Sequence, residues 1–199
     1  KEEKGNVVSD GYKILGKGKE SLFMEKIIKE LKPNGKAFII IPDGCFSRIH
    51  DYNVRQFIVD NCIIEAIISL PPNTFYTTSQ KTYILVVKKR DGKSLTNDKV
   101  FTYIVKSIGE KLDASRYLTP KNNDLIDMQR QYKYFISDKE GYTKDVDNIH
   151  IFDENHFRNN VKETWIPEKF YPKEKQLAIG YIQEENEKTS TNLLSSLDE

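Results

Sequence analysis

The chain has 199 residues, which is enough for one sizeable domain with an appendage or for two small domains. Its 31 Lys and Arg residues are balanced by 30 Asp and Glu residues, so the composition excludes a protein that binds nucleic acid through an overall basic field. No apolar run reaches bilayer length and no secretory leader pattern opens the chain, so we expect a cytoplasmic protein that contacts no membrane.

The first part of the chain predicts alternating helices and strands. Residues 1–19 hold four glycines among charges and predict an extended loop. Residues 20–32 repeat apolar side chains at helical spacing, and residues 36–41 form a short continuous apolar run. Such a run is typical of a strand that is buried on both faces in a parallel sheet. Residues 51–60 then predict a second, short helix.

Two β-rich runs, at residues 63–70 and 82–88, follow that helix. The loop between them is too short for a crossover helix, so the second strand should run antiparallel to its neighbour. We therefore predict the α/β class, with a doubly wound sheet that ends in an antiparallel strand. Residues 1–110 would form this domain, and residues 111–199 a mixed or mainly helical extension with an interaction or linker role.

The loop at residues 70–81 is the best candidate for a ligand-binding site. It holds two prolines, three threonines and the adjacent rings of Phe75 and Tyr76, and rigid strands on either side would present these groups to a flat ligand. The segment Pro42, Asp43 and Gly44 follows a predicted strand, where open α/β sheets place ligands, so it is a candidate pocket wall. An ordinary connection in which Gly44 supplies backbone freedom explains the same residues, and we favour it.

The second part of the chain is less regular. Residues 100–105 predict a further strand that ends at residues 108–110, and a helix is expected after Pro120, within residues 111–136. His150 and His156 lie near acidic residues, but their spacing matches no zinc pattern, so solvated loop side chains are the better interpretation. Cys45 and Cys62 predict reduced core thiols.

A segment at residues 159–177 contains the one tryptophan of the chain, Trp165, and is rich in prolines and aromatic residues. We predict a surface arm that packs Trp165, Phe170 and Tyr171 against the domain. The segment also shows a faint resemblance to the connection between a methyltransferase and a DNA specificity region, although Ile166 and Pro167 depart from that pattern.

Residues 20–90 resemble a known family. They contain ESLFMEKIIKELKPNGKAFIIIPDG, RQFIVDN and IIEAIISLPPNTFYTTSQKTYILVVKKR in that order. These segments are similar to the second half of the catalytic domain of N6-adenine DNA methyltransferases, and most closely to the modification subunit of type I restriction-modification systems. The resemblance implies a Rossmann-like sheet with a reversed strand, and transfer of a methyl group from S-adenosylmethionine to N6 of an adenine flipped out of DNA.

The resemblance also implies roles for the loop. By position, Phe75 matches the family aromatic that stacks on the flipped base. Tyr76 is the alternative residue for this role. A purely structural role, in which Phe75 packs in the core, is the alternative explanation for Phe75. Stacking returns about 1–3 kcal/mol per base. The hydroxyl groups and the ammonium group of the residues after Tyr76 can contact the DNA backbone. Roles in the turn or at the start of the next strand explain the presence of these residues equally well. The residues are Thr77, Thr78, Ser79 and Lys81.

Two family motifs are missing from the sequence. Neither the Gly-containing cofactor loop nor the Asn/Asp-Pro-Pro-aromatic tetrapeptide occurs, and Pro71-Pro72-Asn73 has the wrong order. We therefore expect the later part of a longer enzyme, inactive alone and unable to bind S-adenosylmethionine alone, with no metal. Its expected partners are DNA, a specificity subunit or an upstream methyltransferase half, and a restriction subunit. The alternatives are a non-catalytic module that docks on such partners, and a methyltransferase for RNA or protein.

Overall fold

The structure is a computed structural model that describes residues 2–3, 6–7, 18–92 and 98–183. The loop predicted at residues 1–19 therefore lies largely outside the described residues. Within that segment, β1 (Glu2–Glu3) and β2 (Asn6–Val7) form a short antiparallel pair.

Helices and strands alternate from there on, as the sequence predicts. The first helix, α1, spans Lys19–Glu30, and β3 spans Lys36–Pro42. A short helix, α2 (Asp43–Ser47), and a 3-10 turn at Ile49–Asp51 lead into α3 (Tyr52–Asn61). Both helices predicted in this part of the chain are confirmed, since α1 and α3 lie where the apolar periodicity places them.

The remaining elements combine strands with short helices. Three strands come first, and these are β4 (Cys62–Ser69), β5 (Thr82–Lys89) and β6 (Lys99–Ile104). A separate strand pair and a helix follow, and these are β7 (Ile108–Glu110), β8 (Leu118–Asn123) and α4 (Asp124–Ser137). The described part ends with β9 (Ile149–Asp153), α5 (Glu154–Asn159), a 3-10 turn at Pro167–Phe170 and α6 (Lys173–Ala178).

The main sheet has the strand order β3-β5-β4-β6-β9 among the described residues. β5 pairs antiparallel with both β3 and β4, whereas β4 and β6 run parallel. The α/β class and the antiparallel direction of β5 are confirmed. Its predicted place at the end of the sheet is wrong, because β5 lies between two strands. The helical connection makes β3 and β4 run in the same direction, and the hairpin folds β5 back into the space between them.

Burial differs between β3 and β4. β3 lies at one edge of the described sheet, and its Phe38 and Ile40 side chains are 63% and 56% exposed. The predicted burial on both faces is therefore wrong for β3. It is confirmed for β4, where Ile64 and Ile67 pack on one face and Ile68 on the other, with a bulge after Ile64. A strand with partners on both sides is covered by elements on both faces, which an edge strand lacks.

Two hydrophobic cores cover the two faces of the sheet. The first core packs α1 and α3 against one face through residues such as Met24, Ile28 and Ile58. The second core packs α4 against the opposite face through Phe101 and Phe135, whose ring centroids are 5.5 Å apart. Helices on both faces of a sheet form the layered arrangement that the α/β class requires.

The two cysteines are buried and not bonded to each other, as predicted. Burial raises the pKa of the Cys45 thiol to about 12 and that of the Cys62 thiol to about 11. Both thiols therefore stay protonated near neutral pH and pack as small apolar groups of the first core.

Beyond residue 90, one prediction needs correction and another is confirmed. Residues 108–110 do not end the preceding strand but form β7. The helix expected after Pro120 is α4, which follows β8, the strand that contains Pro120. The pair β7–β8 is a separate two-stranded ribbon, where a proline without an N–H is tolerated at an open edge. The helix begins later, at Asp124, where the Asn123 side chain accepts a hydrogen bond from the Leu125 N–H at 3.0 Å.

The segment around Trp165 is not a surface arm. Trp165 is fully buried in the first core, and its indole N–H donates to the Phe157 carbonyl at 2.8 Å. Tyr171 is buried as well, whereas Phe170 is only partly buried. A tryptophan gains more from burial than any other residue of this segment, provided that its N–H finds an acceptor, and Phe157 supplies one.

The predicted division at residue 110 stays a prediction. β9 lies beyond that residue and joins the main sheet, where it pairs antiparallel with β6. Residues 184–199, part of the predicted extension, lie outside the described residues. Among the helices that the structure describes, none combines the length and the apolar character needed to cross a bilayer.

Candidate functional site

The loop between β4 and β5 is folded by its own hydrogen bonds. Its stem closes where the Leu70 N–H donates to the Thr82 carbonyl at 3.0 Å. Further along, the Thr74 hydroxyl donates to the Pro71 carbonyl at 2.7 Å, and the Thr78 N–H donates to the Phe75 carbonyl at 3.2 Å. The prolines and threonines that marked this segment in the sequence thus build tight turns, which give the loop a defined shape.

The two aromatic residues of the loop differ in exposure. Phe75 is partly buried and packs against the second core, so one side of its ring is anchored to the domain. Tyr76 is 79% exposed, and its ring centroid lies 5.7 Å from the guanidinium carbon of Arg116. The loop therefore offers one anchored ring and one ring that faces solvent beside a positive charge.

A cleft of about 580 Å³ lies between this loop and the connection from β7 to β8. Its lining combines rings, hydroxyls and amide groups with one acidic and one basic side chain. From the loop come Asn73, Phe75, Tyr76, Thr77, Thr78 and Ser79, and from the connection come Leu112, Asp113, Ala114 and Arg116. The structure thus brings five of the predicted site residues, 75 to 79, together in one cleft.

The second wall of this cleft was missed by the sequence analysis. Arg116 donates from Nη2 to the Asn73 carbonyl at 2.5 Å and from Nη1 to the Thr74 carbonyl at 3.3 Å. The Arg116 guanidinium also forms a salt bridge of 2.9 Å with Glu110. No local pattern signals these contacts, because they join residues more than forty positions apart in a polar segment.

The segment Pro42, Asp43 and Gly44 lies beside the loop but does not line the cleft. The Asp43 N–H donates to the Lys81 carbonyl at 3.1 Å, which ties the end of β3 to the end of the loop. Instead of the predicted turn, Asp43 begins α2. The backbone freedom predicted for Gly44 is not used, because its φ lies outside the left-handed region. A glycine at this position instead leaves room for the Arg48 side chain, whose guanidinium carbon would lie 2.6 Å from a Cβ built on residue 44.

Lys81 is engaged inside the protein. Its ammonium group lies 2.7 Å from a carboxylate oxygen of Glu168, a buried residue of the 3-10 turn after Trp165. The same carboxylate accepts hydrogen bonds from the Ser69 hydroxyl at 2.5 Å and the Tyr83 hydroxyl at 3.4 Å. Burial, followed by the nearby Glu168 charge, raises the pKa of Tyr83. Glu168 thus joins both stems of the loop, and the sequence contains no signal for this.

The two histidines near the acidic cluster lie in an aromatic layer. The His156 ring stacks on Phe152 at 4.8 Å and meets Phe170 at 4.4 Å, while burial lowers the pKa of both His150 and His156. Glu154 forms a salt bridge with Arg90 at 2.6 Å. Among the residues that the structure describes, no group of three or more His, Cys, Asp or Glu side chains could hold a metal ion.

A larger apolar groove, of about 630 Å³, lies between the sheet and α4. Its lining is almost entirely hydrocarbon, with Gln129 and Lys133 as the polar members, and it includes the exposed Phe38. Such a surface suits packing against another apolar surface better than binding of a polar substrate, so the polar cleft at the loop remains the candidate site.

Comparison with known families gives a match over most of the chain. A family model described as N-6 DNA Methylase matches residues 10–171. Among curated proteins, the type I restriction enzyme EcoKI methylase subunit of Escherichia coli K12 is 32% identical over 82 residues, which cover 41% of this chain and 16% of that protein. The MpnII methylase subunit of Mycoplasma pneumoniae is 32% identical over 132 residues, or 63% of this chain and 24% of its own length.

Solved structures show the same fold. A chain from a study of complex assembly and conformational transition of the type I R-M system matches 97% of this chain and 42% of its own, with a TM-score of 0.65 at 18% identity. The methyltransferase subunit of a type I system from Streptococcus thermophilus matches 76% of this chain and 30% of its own, with a TM-score of 0.57 at 21% identity. The chain spans less than a quarter of the length of the curated relatives described above.

Proposed function

Because the chain belongs to the N-6 DNA methylase family, we propose that it supplies the loop that holds the flipped adenine in a type I modification methylase. The observation that carries this proposal is the cleft at the loop between β4 and β5. There an anchored ring, Phe75, and an exposed ring, Tyr76, stand beside hydroxyl groups on a rigid hairpin. A flipped base needs an aromatic face to replace its lost stacking and a polar surface for its backbone.

Phe75 is the residue that we assign to stacking. Its contact with the second core fixes the ring, so little conformational entropy would be lost when a base packs on it. Tyr76 is the alternative platform, and the Arg116 guanidinium beside its ring holds the orientation of that ring. A stacking contact of this kind contributes about 1–3 kcal/mol and does not depend on the identity of the base.

We assign backbone contacts to Thr77, Thr78 and Ser79, all of which are exposed at the rim of the cleft. Hydroxyl groups donate to phosphate oxygens without reading the sequence, so these contacts would fix the position of the DNA strand. Lys81 is a weaker candidate than these three, because Glu168 already compensates its charge. Recognition of a particular DNA sequence would belong to a specificity subunit as partner.

S-adenosylmethionine is the methyl donor of such a methylase, and a Gly-containing loop that could hold it does not occur in this sequence. The one acidic residue that lines the cleft, Asp113, lies exposed in the connection, where its Oδ1 accepts from the N–H and the hydroxyl of Ser115. An exposed carboxylate is a poor partner for ribose hydroxyls, because water competes for its oxygens. We therefore place the cofactor against other parts of the methylase.

A second candidate function is docking without catalysis. The apolar groove and the exposed Phe38 and Ile40 of β3 support it, because monomeric proteins rarely leave such surface uncovered. The occupant would be a complementing segment of a methylase. This function and the base-holding function are compatible, since the groove and the cleft share no lining residue.

The proposed function is tested by the kinetics of a Phe75→Ala variant in a methylase assembly that contains this chain. We expect kcat/KM for a duplex with the target sequence to fall about 5- to 150-fold, the factor that corresponds to one stacked base. Tyr134→Ala serves as the control, because it removes an exposed ring from α4, away from the cleft. Equal kcat/KM values for Phe75→Ala and the control would refute the assignment.

A further inference from the structure

We propose that Arg116 is a positioning residue, which holds the loop at residues 70–81 in the shape that accepts a base. This inference deepens the proposed function and rests on it. The Arg116 side chain crosses the cleft from the connection between β7 and β8 and ends on the loop backbone immediately before Phe75.

The contacts of Arg116 reach two successive carbonyls. Nη2 donates to the Asn73 carbonyl at 2.5 Å and Nη1 to the Thr74 carbonyl at 3.3 Å. A guanidinium group presents several N–H donors in a rigid plane, so it can hold two neighbouring carbonyls at once, which an ammonium group cannot do with the same geometry. These bonds fix the backbone that leads directly into the two rings.

Asn73 lies at the turn that Arg116 contacts. Its φ is +61°, in the left-handed region, which asparagine enters more readily than most other residues with a side chain. The Arg116 bond to the Asn73 carbonyl fixes that conformation from outside the loop. The Pro71–Thr74 hydrogen bond of 2.7 Å acts on the same turn from within the loop.

Arg116 itself is held in place. Glu110 on β7 binds its Nη1 at 2.9 Å, and its side chain is only 16% exposed. Its own φ of +48° is also left-handed, which costs an arginine free energy, so the Arg116 end of the Arg116–Asn73 contact carries backbone strain that the contact helps to maintain. The guanidinium carbon lies 5.7 Å from the Tyr76 ring centroid, which orients that ring as well.

A lysine at position 116 could not replace Arg116 in this role, because its ammonium group cannot bind both carbonyls in the same geometry. Because the charge of Arg116 is already paired with Glu110, its main contribution is geometric. The alternative function for Arg116 is a direct contact with a DNA phosphate. That contact would act through charge alone and would leave the loop unchanged in the absence of DNA.

The test compares Arg116→Ala and Arg116→Lys with wild type in a methylase assembly that contains this chain. The first measurement is hydrogen exchange of loop amides 73–80 without DNA. We expect exchange to be about tenfold faster in Arg116→Ala, because each hydrogen bond from a charged donor contributes on that scale. Arg116→Lys should restore less than half of the protection. Fluorescence of the unique Trp165 verifies that each variant is folded.

The second measurement is binding of a duplex with 2-aminopurine at the target adenine, at several salt concentrations. We expect about tenfold weaker capture in Arg116→Ala with an unchanged salt slope. Wild-type loop exchange in Arg116→Ala would overturn the inference, and a reduced salt slope with wild-type loop exchange would assign Arg116 to phosphate contact instead.

The two proposals fail separately. If Phe75→Ala weakens base capture but Arg116→Ala changes neither loop exchange nor capture, the positioning role fails and the proposed function stands. If Phe75→Ala leaves base capture unchanged, the proposed function fails, and loop exchange alone decides whether Arg116 holds the loop.

Discussion

Replacing Trp165 with alanine tests whether residues 154–171 belong to the core of this domain. Trp165 is fully buried, and its ring centroid lies 6.0 Å from that of Phe46 and 5.9 Å from that of Phe157. Truncation of such a ring costs about 3–5 kcal/mol through lost burial and the cavity that remains. The Phe157 carbonyl also loses its indole donor, which adds about 1–3 kcal/mol if water cannot enter.

These magnitudes place the Trp165→Ala effect near the upper end of the range for single substitutions. A domain of this kind is stable by about 5–15 kcal/mol, so the variant should retain only part of its stability. With a urea m-value of about 2 kcal/mol per molar, the unfolding midpoint should fall by at least about 1.5 M. Far-UV circular dichroism is the suitable signal, because the variant lacks the one tryptophan of the chain.

The matched control for Trp165→Ala is Tyr117→Ala, which removes a ring that is 68% exposed. Its free energy of unfolding should stay within about 0.5 kcal/mol of wild type. If Trp165→Ala were as stable as this control, the ring would contribute nothing to the core. The segment would then be an attached arm, as the sequence predicts, and the packing described here would be refuted.

Two further substitutions test buried polar groups. Glu154→Gln should destabilise the chain by about 3–5 kcal/mol in urea unfolding, because it removes the buried negative charge that pairs with Arg90 at 2.6 Å and with Arg158 at 3.5 Å. A loss below about 1 kcal/mol would contradict this. His156→Phe should reduce the acid sensitivity of stability. Burial lowers the folded pKa of His156 below its usual 6.5, so stability present above pH 6.5 is lost as the pH falls toward the folded pKa. Equal pH slopes of the unfolding free energy for wild type and His156→Phe would show that His156 does not contribute.

Local pattern predicted α1, β3, α3, β4 and β5 within a few residues, but it did not predict the short helix α2 or the 3-10 turn after it. The apolar spacing of α1 and the continuous apolar run of β4 depend on neighbours in the chain, so they are visible in the sequence. The direction of β5 followed from the length of its loop. Its place between β3 and β4 did not, because strand order depends on which edges are open in the assembled sheet.

The sequence predicted only one wall of the candidate site, because the other wall depends on contacts between residues that are distant along the chain. Phe75 and the residues that follow it are contiguous, and their composition marks a loop. Arg116 reaches that loop from 43 positions away, and Glu168 reaches Ser69, at the end of the strand before the loop, from 99 positions away. Each of the two lies in a segment without periodicity. The packing of Trp165 against the domain was predicted, but as part of a surface arm. Its complete burial was decided by an acceptor, the Phe157 carbonyl, that only the fold provides.

The most direct test of the central claim is whether Phe75 holds a flipped adenine. The measurement is fluorescence of 2-aminopurine at the target position of a duplex, titrated with a methylase assembly that contains this chain. Phe75→Ala should lower the plateau and weaken capture about 5- to 150-fold, while Phe75→Tyr, which keeps an aromatic face, should stay close to wild type. A Phe75→Ala titration that coincides with wild type would contradict the assignment of this loop to the target base.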